Sequence, residues 1–378
     1  VKRPFLRGLL LNAGGSGTVA AVALVRNVLM ARVLGAKAFG LWQICLVALR
    51  LAGESHLGAL HALGLDAPVL RGAGKEEEAR RLERRCLTAA LLLSIPPALV
   101  AGWVLHLEGG PGVLVAAGLL AVAFLVQQAF LAHSSLLQSR RQFGRLALLQ
   151  GVFAAIHLAG LLLLVPTRYA TGALVAWAGG AVAAILVVRI VTRDPLPLPS
   201  AAEIRNVGAA VRRGFPTYLV GVTFVLLFQV DRVVVGSVLG RESLGHYGVL
   251  LLGGSVLLFV PDVLAGVLWP FAGERYGESG RSGASLAPVA ETTLRTLSFV
   301  LAAVLLFVLQ GTEVLVATWL RPYHPALEAL RPYSAGVFLL ALVHPIRFLA
   351  ATAGGDRAVL RAQAWTLVVA MAAETAAA

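Results

Sequence analysis

Apolar residues along this chain gather into eleven stretches of roughly 20 residues, separated by short polar, charged or turn-forming runs. They lie at about 8–34, 39–63, 86–107, 113–137, 146–165, 172–192, 215–239, 245–270, 296–318, 333–353 and 362–378. A helix of that length spans the roughly 30 Å of a bilayer's hydrocarbon core. No water is present there, so each segment must close its own backbone hydrogen bonds, which a helix does. The pattern predicts an all-α polytopic membrane protein.

One motif occurs twice, 205 positions apart. Val33-Leu34-Gly35-Ala36-Lys37-Ala38-Phe39-Gly40-Leu41-Trp42 links the first two stretches, and Val238-Leu239-Gly240-Arg241-Glu242-Ser243-Leu244-Gly245-His246-Tyr247 links the seventh and eighth. Both read Val-Leu-Gly, three variable residues, a large apolar residue, Gly, and an aromatic two places on. The same offset pairs the apolar run near Cys86 with the one near Glu291. A parallel duplication of this kind is a transporter signature, because two similar bundles can rock about a central cavity. The expected fold is two parallel-repeat helical bundles of about eleven spans. The N-terminal six-helix bundle covers 1–192, a cytoplasmic linker 193–214, and the C-terminal bundle 215–378. Pro195, Pro197 and Pro199, followed by a basic amphipathic run at 203–213, mark that linker. By the same offset the sixth stretch maps to about 377–397, past the last residue. The second bundle is therefore expected to hold about five helices and to lack its last by truncation.

Composition agrees with the pattern. Hydrophobic residues make up 58% of the chain and charged residues 13%, against about half and a quarter in soluble domains. The net charge of +13 would suggest nucleic acid in a soluble protein. Here 22 of the 32 Lys and Arg residues fall in the N-terminus and alternate connections, and only six in the opposite connections. The positive-inside rule then puts the N-terminus and every basic loop in the cytoplasm, with no nucleic-acid partner. Lys2, Arg3 and Arg7 before an apolar run resemble a signal peptide, but the run is too long and lacks a small-residue cleavage pattern. It is taken as the first span. Cys45 and Cys86 are the two cysteines, which excludes a disulfide framework and a cysteine-based metal site.

Ionisable residues at membrane depth are costly and usually face a partner or a wet cavity. The first stretch carries Arg26 with no acidic residue three or four positions away. An ion pair with Glu54 or Asp231 is the alternative to a cavity position. Arg50 and Glu54, four apart in the second stretch, are expected on one helix face, followed by His56 and His61. Asp231 and Arg232 lie in the seventh stretch, Asp262 follows Pro261 in the eighth, and Arg347 follows His344-Pro345 in the tenth. The balance is cationic. Guanidinium groups match phosphate oxygens with paired hydrogen bonds, so Arg26, Arg50 and Arg347 are the candidate binding residues for a diphosphate head. Glu54, Asp231, Arg232 and Asp262 are candidate coupling or cavity partners. The histidines show no metal-ligand spacing and are read as core or interface residues, so no metal site and no cofactor is expected. No His-Glu-x-x-His, Gly-x-Ser-x-Gly, P-loop or Cys-x-x-Cys occurs. An enzyme is not expected, and no catalytic residue is assigned.

At these residues the chain resembles the polysaccharide and oligosaccharide flippase family of the multidrug/oligosaccharidyl-lipid/polysaccharide (MOP) exporter superfamily. The stretch Arg26-Asn27-Val28-Leu29-Met30-Ala31-Arg32-Val33-Leu34-Gly35 with Phe39-Gly40 carries the likeness. Gln229-Val230-Asp231-Arg232 through Gly240 and Leu244-Gly245-His246-Tyr247, and the basic run 75–85, are similar to the same family. The resemblance implies alternating-access export of undecaprenyl-diphosphate-linked oligosaccharide or polysaccharide repeat units across the bacterial inner membrane. Membrane lipid, a polysaccharide polymerase and glycosyltransferases are the partners it implies. Arg26 and Arg50 also resemble the first- and second-span arginines that contact the diphosphate in lipid II flippases. Two alternatives stay open: a cation-coupled multidrug exporter of the related extrusion branch, and a membrane enzyme of envelope-glycan assembly.

Overall fold

The computed structural model describes residues 2–107, 113–192, 204–280 and 282–377. Arg193 and the three linker prolines lie outside them. Every described element is helical. We number the helices α1 (Lys2–Ala52), α2 (Ala59–Gly72), α3 (Glu76–Leu93), α4 (Ile95–Leu107), α5 (Val113–Ser139), α6 (Phe143–Thr192), α7 (Val207–Leu227), α8 (Val230–Val234), α9 (Gly240–Glu278), α10 (Ala287–Trp319), α11 (Leu330–Thr352) and α12 (Asp356–Ala377). Among the described residues, seven helical segments are long and apolar enough to cross a membrane. The second, third, seventh and eleventh predicted spans are not among those seven. The second is interrupted at Gly53–His56, the third starts in the apolar half of α3 and breaks at Ser94, the seventh breaks at Phe228 and Gln229, and α12 carries Arg357, Arg361 and Glu374.

The chain forms two compact units. One holds the chain up to Val22 together with Ala48–Leu219; the other holds Ala23–Val47 together with the chain from Val220 on. The sequence-based division, with bundles at 1–192 and 215–378, places residues 23–47 with the first bundle. In the structure those residues pack with the second unit, and the duplicated motif shows how.

In the first unit, small residues let helices approach closely, the usual packing device in lipid. Ala59, Ala62, Leu63 and Ala67 of α2, Ala79, Cys86, Ala89 and Ala90 of α3, and Ala132 and Leu136 of α5 form one buried core. A carboxylate sits at its edge. Glu83 is 1% exposed and ion-paired to both Arg71 and Arg140, the latter through Nη2 at 2.6 Å and Nε at 3.0 Å. Arg71 also donates to the Ser139 carbonyl at 2.6 Å. Two guanidinium groups on one buried carboxylate tie α2, α3 and α5 together, and removing either arginine leaves a buried charge short of a partner. The two apolar halves of α6, 143–165 and 171–191, lie against each other: a methyl added at Gly160 would stand 2.8 Å from the Ala176 side chain. The fifth and sixth predicted spans are these halves.

In the second unit the two copies of the motif meet. Gly35 (φ 72°) and Gly240 (φ 87°) both take left-handed backbone, which an L side chain resists. Each ends one helix and starts the next. A methyl at Gly40 would overlap the carbonyl oxygen of Arg241, and one at Gly245 would overlap that of Ala36. The contact is reciprocal: the fifth residue after each kink glycine lies on the first residue after the other. Tyr323, in the 3-10 segment Arg321–Ala329, closes the joint. It is 2% exposed, donates to the Ala31 carbonyl at 2.8 Å and meets the rings of Phe39 and His246 at 6.2 and 5.4 Å. Leu257, Leu297, Leu301, Val308, Val337 and Ala341 fill the interior between α9, α10 and α11.

Candidate functional site

The duplication places Arg26 and Asp231 at equivalent positions, and likewise Trp42 and Tyr247. The structure pairs them within each copy. Arg26, 5% exposed on α1, lies over the Trp42 ring with Cζ 5.7 Å from the ring centroid. Asp231, on the short helix α8, accepts from the Tyr247 hydroxyl at 2.5 Å. One geometry thus serves two charges, because an indole face attracts a cation and a phenol O–H serves an anion. The joint described above sets both distances, since it fixes where the second helix of each copy starts.

Asp231 also accepts from the Arg232 backbone N–H at 2.7 Å, while the Arg232 guanidinium donates to Gln229 Oε1 at 2.9 Å. The two adjacent charges therefore take separate hydrogen-bond partners. The helix break at Phe228 and Gln229 allows this, by freeing Gln229 to turn toward Arg232.

Arg347 is buried on α11 against two rings, Phe224 at 4.0 Å and Phe348 at 4.2 Å. One turn earlier, His344 Nε2 stands 2.8 Å from Asp262 Oδ1, and its ring lies 4.9 Å from Phe224. Pro345 and Pro261 sit beside these groups in α11 and α9. The second unit therefore holds two buried guanidinium groups, each set against aromatic faces, and two carboxylates with hydroxyl or imidazole partners.

Arg50 and Glu54 belong to the first unit, and Arg50 is exposed. The expected single helix face does not form, because α1 ends at Ala52 and Glu54 lies in the 3-10 turn Gly53–His56. Glu54 Oε2 stands 3.8 Å from His56 Nε2. His61 joins them, so that one ligand-type atom from each of Glu54, His56 and His61 lies within 4.8 Å of the others. No metal-ligand spacing is visible in the sequence for these histidines, since they lie five positions apart and neither helix nor strand periodicity brings them together. Trp42 and Tyr247 were visible in the motif, but only their pairing with positions 26 and 231 assigns them a role.

The family model described as "Polysaccharide biosynthesis protein" matches residues 5–259. No curated protein sequence matches the chain. Among solved structures, the chain is similar to an outward-facing multidrug resistance MATE family transporter of the MOP superfamily, with TM-score 0.76 and 15% identity over 97% of this chain and 86% of that one. A MATE structure in the straight conformation gives TM-score 0.74 and 16% identity over 97% and 86%. The eukaryotic MATE transporter AtDTX14 gives 0.69 and 16% over 94% and 85%. At such identities the likeness establishes the fold. The family match over two thirds of the chain shows that it belongs to the polysaccharide biosynthesis protein family, with the multi-pass helical fold of the MOP-superfamily transporters it resembles.

Proposed function

We propose that the chain moves lipid-linked oligosaccharide or polysaccharide repeat units, carried on a polyprenyl diphosphate, across the bacterial inner membrane by alternating access. The observation that carries this reading is the pair of buried guanidinium groups, Arg26 and Arg347, set against aromatic rings. Stacking engages the faces of a guanidinium, and its in-plane N–H donors are the ones that match phosphate oxygens. In a low-dielectric surrounding such a contact is worth far more than at a wet surface. Arg50, exposed in the first unit, is the third cation of the assignment. The description of the matching family as polysaccharide biosynthesis supports a glycan cargo over other diphosphates. The basic connections support a cytoplasmic N-terminus.

Asp231 and Asp262 favour a second reading, the export of lipophilic cations, in line with the similarity in fold to a multidrug resistance transporter. Proteoliposomes separate the two. Wild-type protein is expected to move a fluorescent polyprenyl-diphosphate oligosaccharide between leaflets, and Arg347→Ala to lose at least tenfold of that rate at an unchanged melting temperature. Expulsion of ethidium without movement of the lipid, lost in Asp262→Asn, would replace the first reading with the second.

A further inference from the structure

The second apolar segment breaks where a membrane helix would be expected to run on. Between the 3-10 turn Gly53–His56 and α2, Leu57 (φ 46°) and Gly58 (φ 98°) both take left-handed backbone. For leucine this conformation costs on the order of 1–3 kcal/mol and persists only where the surroundings impose it, often at functional sites. Non-helical backbone at membrane depth is likewise tolerated only inside protein or along a wet cavity. The reversal folds His61 back over His56, with ring centroids 5.2 Å apart. Helix α7 holds the break from the outside. A methyl at Gly58 would stand 2.7 Å from the Gly214 carbonyl carbon, and one turn on, the Tyr218 ring lies 6.0 Å from each imidazole.

We propose that Glu54, His56 and His61 form a binding site for a divalent transition-metal ion of the zinc class. Two imidazoles and a carboxylate are a donor set that such ions select, whereas sodium, magnesium and calcium favour oxygen ligands alone. Three protein ligands with a fourth position left open is the arrangement of zinc sites that exchange a ligand. Ligand atoms on a tetrahedral ion with bonds of about 2.0–2.1 Å stand roughly 3.4 Å apart. Glu54 and His56, at 3.8 Å, are near that spacing, and the ligand atoms, all within 4.8 Å of one another, need to close by no more than about 1.4 Å. The Glu54 side chain keeps 18% of its surface exposed, which gives the ion a way in.

The proton count is definite. Gly58 N–H donates to His56 Nδ1 at 3.1 Å, so the neutral ring carries its proton on Nε2, on the side facing Glu54. An incoming ion takes the Nδ1 lone pair from the Gly58 amide, or takes Nε2 once that proton has moved to Nδ1 and the amide has turned away. His61 and Glu54 donate lone pairs of a neutral imidazole and an ionised carboxylate.

The test uses the whole chain in detergent with any polyhistidine tag removed, and cobalt(II) as the probe. One equivalent of cobalt is expected to bind with the intense visible bands of tetrahedral coordination, and zinc to displace it. His56→Ala and His61→Ala should each weaken cobalt binding at least tenfold, while His324→Ala, at an exposed position in the second unit, should leave it unchanged. Because truncating the buried His56 can destabilise the fold, Glu54→Gln serves as a second variant of nearly equal volume. It is expected to keep the metal-free melting temperature and to lose affinity and the zinc-induced rise in melting temperature together. Absence of tetrahedral bands, or cobalt binding that survives all three substitutions, would overturn the assignment.

Discussion

Positions 26 and 231 occupy the same place in the two copies of the repeat, yet one carries a guanidinium and the other a carboxylate. Each is met by the aromatic residue 16 positions on, Trp42 by its ring face and Tyr247 by its hydroxyl. The second helices differ more. In the first copy the segment after the kink glycine breaks at Gly53–His56; in the second, α9 runs unbroken from Gly240 to Glu278 through Pro261. The duplicated backbone thus fixes where a polar group on one helix meets a ring on the next, while the side chains set its charge. Continuity of the second helix is a separate variable, decided by Gly53 and Gly58 in one copy and by their absence at the matching positions in the other.

If the two charges have distinct roles, substitution will separate them. Arg26→Ala is expected to reduce movement of a polyprenyl-diphosphate oligosaccharide in proteoliposomes at least tenfold, which corresponds to about 1.4 kcal/mol or more of lost interaction. Asp231→Asn keeps the hydroxyl contact and is expected to retain most of that rate. Equal losses in both variants would make the two positions one ion-pair system and erase the contrast. The next effect is structural and symmetric. Gly40→Ala and Gly245→Ala each press a methyl onto a backbone carbonyl of the other motif, and overpacking of this kind costs about 1–3 kcal/mol. Both are expected near the upper end and within about 0.5 kcal/mol of each other, read as melting shifts in detergent. A large difference between them would show that the joint is not reciprocal in energy, whatever its geometry. Tyr247→Phe removes one donor from Asp231, and a hydrogen bond to a charged group contributes about 1.5–3 kcal/mol. Its cost is expected near 2 kcal/mol and should vanish in the Asp231→Asn background only if the carboxylate charge gives the bond its strength.

Much of the fold was legible because its signals are periodic. The apolar stretches and the 205-residue offset follow from the lengths a bilayer demands and from repetition itself. The grouping of residues 23–47 with the second unit was not legible, because it rests on contacts between segments far apart in sequence, the two glycine-to-carbonyl approaches and Tyr323 on Ala31 among them. The pairing of Arg50 with Glu54 failed for a local reason: the i, i+4 rule assumes an unbroken helix, and Gly53 ends this one. The same break hid the Glu54, His56 and His61 cluster, since a left-handed leucine is not predicted by any propensity. Aromatic partners of buried cations are also hard to foresee, as Phe224 and Arg347 stand 123 residues apart.

Arg26→Lys is the mildest substitution and the most discriminating one. Lysine keeps the charge and most of the length, so the contact with Trp42 survives in weakened form. At 5.7 Å that contact lies near the outer limit for a cation over a ring, and losing part of it should cost no more than about 0.5–1 kcal/mol. What lysine cannot supply is the planar fork of donors that grips two phosphate oxygens at once. If Arg26 only holds its place in the bundle, stability and transport should fall together and slightly. If it meets a diphosphate, the melting temperature should stay nearly constant while transport drops several-fold and its dependence on substrate concentration shifts to higher values. Asp231→Glu is the matching change in the other copy: it preserves charge, and the assignment made here gives it no such split.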